Sequence, residues 1–522
     1  MHFKETKIDY VMKSLKAILL WTVLALTMTA CSNVSEKLEK MIPSDATGVI
    51  SIDVPQILNK ASFITDGKLQ VPADLRTIID ENDASALCQV IDDLPYMGVN
   101  QDSKAYMFFT SKTLGQVLLV ALSDPKLAHE VVERRSGGDF NTVGGVECIY
   151  VKDYLYAIHD KVLLIGRVNK AVPVEKAAAA AQAMFEHNQP SIAENNDVMK
   201  HLAGDAAVQA YLELKAVKSL LHKSATYNEL TRHLPLLDIF VESDIQAMTM
   251  ALRLEERQAT LETTIIADEN SEYLTLMKTL TAAPDASVLK AVPNSMDYTV
   301  SMSVHGAQFV QLPQIKQLIT LFKGIPYIGR IDIEGILSSV DGPLTVAAAR
   351  DPHLAGEWNA VVAAKSTRPE EILKSIGTFA TALGQAPEIY DGEYIYQYDN
   401  KMIKMGVTDG VLYIKMLDYE QTEGYAHELP AVRELFGKSS LACFVQTRQG
   451  GTDACFEFGM ADHLNGNGRF YTKSDTANAT LELLKVMCAI KSGSPYDDNN
   501  EADANDLSDI MGGAIDQLQP VN

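Results

Sequence analysis

Short apolar stretches, some unbroken and some alternating with polar residues, recur along the chain, separated by turn-forming residues. Val49-Ile50-Ser51-Ile52, Val117-Leu118-Leu119-Val120, Val162-Leu163-Leu164-Ile165 and Glu393-Tyr394-Ile395-Tyr396 are rich in Val, Ile and Tyr and read as strands. Helices interrupt them. Val174 to His187, with five alanines from Ala177 to Ala181, is helical by propensity. Ser123-Asp124-Pro125 and Thr367-Arg368-Pro369 each place a capping side chain before a first-turn proline, which marks a helix start. Strands joined mainly by hairpin-like turns, with helices between them, predict an α+β fold with largely antiparallel sheets packed by helices.

The chain also resembles itself. Ile42-Pro43-Ser44-Asp45 and the strand after it are echoed by Val292-Pro293-Asn294-Ser295 and Thr299 to Val304, at a constant offset of 250. Leu94-Pro95-Tyr96-Met97-Gly98 returns as Ile325-Pro326-Tyr327-Ile328-Gly329. Val117 to Val120 parallels Val361 to Ala364, Ile149-Tyr150 parallels Ile395-Tyr396, and Asp160 to Ile165 parallels Asp409 to Ile414. Five blocks in one order predict two tandem homologous domains, each far longer than a solenoid repeat. The boundaries expected are 41–285 and 286–490, each domain closing with a hairpin and a helix. Asn465-Gly466-Asn467-Gly468 is expected at the turn of the second such hairpin.

Composition narrows the role. The 522 residues carry 45 Lys plus Arg against 68 Asp plus Glu, a net charge of -23 that repels phosphate backbones and excludes nucleic acid as a partner. From Met12 the chain has basic Lys13 and Lys16, an apolar run from Ala17 to Met28, and then small residues before Cys31. The run is too short to span a bilayer and reads as a secretory signal, residues 1–30, with Met12 as the start. Met28-Thr29-Ala30-Cys31 resembles a bacterial lipobox. That resemblance implies cleavage before Cys31, acylation of Cys31, and anchoring to the membrane through residues 31–40 as a tether. The expected location is the outer membrane, facing the periplasm or the cell surface. Residues 491–522, with seven acidic groups and one basic, are expected to form a solvated tail.

Cys88, Cys148, Cys443, Cys455 and Cys488 are an odd set, so at least one is unpaired within the chain; Cys443 and Cys455 lie on successive strands. There is no HExxH, GxSxG, Walker A loop or Cys/His zinc spacing, and the sequence predicts neither a metal nor a cofactor. The remaining candidate is aromatic. Tyr394, Tyr396 and Tyr398 alternate on one strand, so their rings point one way, and Tyr150, Tyr154 and Tyr156 lie in the comparable region of the first copy. Facing solvent, they would make a rigid amphipathic binding surface; facing a helix, they are core.

The lipobox, the Ile42-Pro43-Ser44-Asp45-Ala46-Thr47 box, the strand from Val49 to Val54 and the duplication together resemble a large family of two-repeat lipoproteins of Gram-negative gut anaerobes, designated only as a domain of unknown function. The resemblance covers the mature chain and carries over no catalytic residue. The expectation is a lipid-anchored envelope protein that binds or scaffolds a protein or glycan ligand. The alternative expectation is an envelope hydrolase with its site between the repeats.

Overall fold

The computed structural model describes residues 32–81, 91–110, 112–151, 153–168, 172–215, 218, 243–323, 332–350, 358–382, 386–398, 401–417, 424–447, 453–474 and 477–489. Twenty strands form one sheet in which every neighbouring pair is antiparallel. The first ten are β1 (Gly48–Ile52), β2 (Ala105–Phe109), β3 (Leu114–Ala121), β4 (Asn141–Val143), β5 (Val146–Val151), β6 (Tyr154–His159), β7 (Val162–Val168), β8 (Val208–Glu213), β9 (Ala247–Leu254) and β10 (Gln258–Ile266). The next ten are β11 (Tyr298–His305), β12 (Val340–Arg350), β13 (Trp358–Ser366), β14 (Glu388–Tyr390), β15 (Glu393–Tyr398), β16 (Lys401–Thr408), β17 (Val411–Leu417), β18 (Leu441–Thr447), β19 (Ala454–Met460) and β20 (Asn465–Thr472).

Hydrogen bonding across the sheet gives the order β4-β5-β6-β7-β3-β2-β1-β8-β9-β10-β20-β19-β18-β11-β12-β13-β17-β16-β15-β14. The second half repeats the first strand for strand, each label raised by ten, and β10 pairs with β20 at the centre. Register repeats as well. Gly48 faces Leu212 and Phe109, as Tyr298 faces Val445 and Ala348, so the offset of 250 read from the sequence is the structural one at this strand. The fold is α+β, and the two halves share one continuous antiparallel sheet.

Helices line both faces of the first half. On one face lie α1 (Ser32–Met41), α5 (Val174–Phe185) and α6 (Asn196–Leu202), which bury Leu38, Met41, Ala177, Ala178, Ala181 and Val198 against Val117, Leu119 and Leu164. Alanines on α5 let its backbone approach the sheet closely, which is where the alanine run belongs physically. Residues 32–40, read from the sequence as a tether, thus belong to a helix already docked by Leu38; Glu39 is held by Tyr106, and its carbonyl accepts Ser191 Oγ at 2.9 Å. On the other face, α2 (Val54–Lys60), α3 (Ala73–Glu81) and α4 (Pro125–Ser136) cover Ile50, Ile52, Met107 and Leu118. As its sequence signals, α4 is capped by Asp124, whose Oδ1 accepts from Lys126 N at 3.0 Å.

Each half ends in a helix that reaches the other half. After β10, α7 (Glu272–Leu280) sends the Tyr273 hydroxyl to the His463 carbonyl in the β19–β20 turn, at 2.8 Å. After β20, α11 (Ala479–Ala489) buries Leu484, Val486 and Cys488 in the first-half core with Ile52, Leu75 and Ile78. At its start, Asn478 Nδ2 donates to the Lys60 carbonyl at 2.6 Å, and Ala479 N donates to Glu256 O at 3.1 Å. The other longer helices of the second half are α8 (Pro313–Lys323), α9 (Pro369–Ala382) and α10 (Pro430–Lys438), with short helices at Gly306–Phe309 and Ile333–Ser338.

One expectation fails here. Asn465-Gly466-Asn467-Gly468 is the start of β20, not a turn; the turn falls just before it. The glycines serve close approach instead: a Cβ on Gly466 would lie 2.5 Å from both the Phe458 ring and Thr263 Oγ1, across the seam between the halves. Cys443 and Cys455 do lie on paired strands, but Cys455 faces Gln446, an odd number of residues from Cys443, so the two thiols point to opposite faces and both are free.

Candidate functional site

The duplication supplies an internal control. In the first half, Ile50, Met107 and Leu118 sit directly opposite one another on β1, β2 and β3, and are 7%, 0% and 1% exposed beneath the α3 face. Their counterparts on β11, β12 and β13 are Val300, Val346 and Val362, in the same register. These are 44%, 52% and 42% exposed. The helices beside them pack differently. Leu75, Ile78 and Ile79 of α3 join the sheet residues in one core, whereas Ile315 and Ile319 of α8 pack with Val310, Leu312 and Leu337 in a separate cluster. A contiguous apolar face is therefore left open on the second half, and such faces mark contact surfaces.

One end of that face is aromatic and cationic. Tyr298, itself exposed, lies 6.2 Å from the Trp358 ring, and the Arg350 guanidinium sits 5.7 Å from the centre of the same ring. Trp, Tyr and Arg are the residue types that dominate the energetics of protein interfaces. Because Val346 is already solvated, Val346→Thr is expected to change unfolding free energy by less than about 0.5 kcal/mol. Met107→Thr at the equivalent first-half position is expected to cost about 2 kcal/mol or more, from lost burial and a hydroxyl placed in the core. Urea unfolding of both variants checks this contrast; equal losses would mean that the second-half face is closed.

The opposite face of the sheet carries a polar group on neighbouring strands. Lys404 and Lys415 are direct cross-strand partners on β16 and β17. Lys415 Nζ lies 4.4 Å from the centre of the Tyr413 ring and 5.1 Å from that of Tyr425. Glu393 accepts the Tyr413 hydroxyl, and its Oε2 is 3.9 Å from Lys404 Nζ. Burial pushes the Tyr413 hydroxyl well above its usual range, and the bond to Glu393 acts in the same direction. Burial pulls the Lys415 ammonium below its usual range, with Glu393 opposing and Lys404 reinforcing. Among the described residues, no group of three His, Cys, Asp or Glu side chains converges as a metal site.

The tyrosines singled out by sequence are not gathered into one surface. Tyr394 packs beneath α9 with Ile372, Leu373 and Ile376, close enough that a Cβ on Gly377 would lie 2.3 Å from its ring. Tyr396 shares that sheet face, and its hydroxyl is buried without a hydrogen-bond partner. Burial also raises the hydroxyl pKa of Tyr396. The Tyr398 side chain lies outside the described residues. Tyr154 and Tyr156 pack on the first-half core, where burial pushes the Tyr156 hydroxyl up, while Tyr150 is exposed on the other face. Register explains the mismatch. Ile149 faces Tyr156 as Tyr394 faces Met405, so Tyr394 corresponds to Ile149, and the sequence match of Ile149-Tyr150 to Ile395-Tyr396 is one residue out. In a strand, one residue exchanges faces. Cys31 lies outside the described residues.

No family model matches the chain, and no curated protein matches it. Among solved structures, three crystal forms of TP0453 are similar to parts of it. Form IV is 13% identical with a TM-score of 0.28, covering 43% of this chain and 79% of that one. Form I is 13% identical with a TM-score of 0.26, covering 44% and 77%, and form III is 14% identical with 0.29, covering 47% and 87%. Likeness at this level assigns no activity.

Proposed function

We propose that this chain is a lipid-anchored envelope protein that binds a protein partner through the open sheet face of its second half. The observation that carries the reading is the exposure of Val300, Val346 and Val362 where their first-half counterparts Ile50, Met107 and Leu118 are buried. An open apolar sheet face suits a protein surface better than a small ligand, because small-ligand sites are concave and enclose most of what they bind. A glycan is less suited, since Val300, Val346 and Val362 offer no side-chain hydrogen bonds. Arg350, Trp358 and Tyr298 at one end add the anchors that interfaces favour.

The anchoring part of the reading rests on the lipobox before Cys31. With α1 docked from Leu38 onward, acyl chains on Cys31 would hold the first half directly at the membrane surface. Among the described residues no helix is long and apolar enough to cross a membrane. Cys31→Ala is expected to release the protein from the membrane fraction, and unchanged fractionation would remove the anchor. The alternative, a hydrolase site between the repeats, meets hydrogen-bonded strands there: β10 and β20 pair over seven residue pairs.

The partner surface is tested by placing a photo-crosslinking amino acid at Val346 in growing cells, with exposed Leu127 of the first half as the control position. A discrete adduct from position 346 that disappears with Trp358→Ala supports the reading. Identical adduct patterns from both positions would rule it out.

A further inference from the structure

Lys415 is a lysine only 6% exposed, and among the described residues no hydrogen-bond acceptor meets its ammonium; its contacts are the rings of Tyr413 and Tyr425. Directly opposite it on the same sheet face stands a second lysine, Lys404. Like charges in direct cross-strand register repel, and burial makes the repulsion costlier. Among the described residues one carboxylate, Glu393, serves the pair. It reaches Lys404 at 3.9 Å and is shared with the Tyr413 hydroxyl, so two ammonium groups face a single, already engaged anion.

The first half shows what this place looks like without the charges. Leu155 and Gly166 occupy the positions of Lys404 and Lys415, since Gly166 lies between Val117 and Leu155 as Lys415 lies between Val361 and Lys404. Cys148 and Leu164 stand for Glu393 and Tyr413. That apolar set is covered by α5. In the second half, seven residues separate Leu417 from Tyr425, against twenty-two between Val168 and Ser191, although Tyr425 bridges to Pro293 just as Ser191 bridges to Pro43. Seven residues cannot hold a counterpart of the twelve-residue α5. The second copy thus has no room for that helix, and it carries two lysines, a glutamate and two tyrosines where the first copy has the apolar set and Ser191.

We propose that Lys404 and Lys415 form a binding site for an oxyanion, the carboxylate or phosphate group of a ligand, on the sheet face that the shortened connection leaves without α5. An oxyanion between the two ammonium groups replaces their repulsion with two charge-assisted hydrogen bonds and supplies an acceptor that the described residues do not give Lys415. Tyr413 and Tyr425 provide flat apolar walls beside the charge, and Glu393 holds Tyr413 and Lys404 in place. The site lies on the face opposite Val346 and Val362 and does not depend on the partner surface proposed there.

The test is equilibrium dialysis of the full chain against radiolabelled inorganic phosphate and, separately, radiolabelled acetate, at constant ionic strength in chloride. The expected result is one saturable site for at least one of the two, weakened at least about tenfold in Lys415→Met and in Lys404→Met. Lys473→Met, which removes an exposed ion pair to Asp453, is expected to bind as the parent does. Binding of phosphate alone or acetate alone supports the site and selects its ligand class. Absence of saturable binding of either anion up to about 10 mM overturns the proposal, as does equal binding by parent and Lys404→Met. Lys404, more exposed than Lys415, keeps the test valid if Lys415→Met does not fold.

Discussion

Replacing Leu484 by alanine is expected to destabilise the first half of the protein, although Leu484 belongs to the second half of the sequence. Leu484 is nearly fully buried in the core that holds Ile52, Leu75, Ile78 and Met107, and α11 is the element that carries it there. Removing a buried leucine side chain costs about 2 to 5 kcal/mol through lost transfer energy and the cavity left behind. Hydrogen exchange locates the loss. Amides of β1, β2 and β3 are expected to exchange faster in Leu484→Ala, while those of β11, β12 and β13 keep their protection. The reverse pattern would show that α11 stabilises its own half and that the exchange of helices has no energetic weight. Asn478 provides a second lever, because its side chain both caps α11 by accepting from Leu481 N at 3.1 Å and ties it to Lys60.

Gly98→Ala is expected to cost about 3 kcal/mol, the sum of backbone strain and a steric clash. Gly98 has φ of +61°, which side-chain-bearing residues rarely adopt, and a Cβ there would stand 2.3 Å from the Asp124 carbonyl oxygen. Neither side can yield easily. The Gly98 carbonyl accepts from Ser123 N at 2.8 Å, Asp124 N at 3.1 Å and Ser123 Oγ at 2.9 Å, so the contact fixes the start of α4. Urea unfolding measures the effect, with Tyr96→Ala in the same segment as an exposed control expected to stay within about 0.5 kcal/mol. A loss below about 1 kcal/mol for Gly98→Ala would mean that the segment relaxes around the added methyl group. The same geometry gives a physical reason for the glycine in the Leu94-Pro95-Tyr96-Met97-Gly98 box; the echoing Gly329 lies outside the described residues.

Much of the fold was legible because its signals are local. The Val-, Ile- and Tyr-rich runs of β1, β3, β7 and β15, the Asp124 cap of α4 and the alanine run of α5 each depend on residues close in sequence. The offsets of 250, 244 and 249 between matching strands also reappear in the sheet register. Errors arose where a local signal has two solutions. Asn465 to Gly468 has turn composition, yet packing of Phe458 against Gly466 makes it the seam strand. The tyrosine alternation correctly placed Tyr394 and Tyr396 on one face, but periodicity is blind to whether that face meets solvent or α9.

The strands, most helix starts, the duplication and the acidic charge are readable from the residues alone, since each follows from neighbouring residues or from comparing the chain with itself. Tertiary structure alone decided which faces are covered. A strand apolar on both sides, such as Val361-Val362-Ala363, reads the same whether a helix lies over it or not; with α8 packed in a separate cluster, Val362 is exposed. Lys415 likewise looks like any strand lysine until the register sets it opposite Lys404 and between two tyrosine rings. Long-range register and helix placement arise from the summed burial of many distant residues, and no single segment encodes that sum.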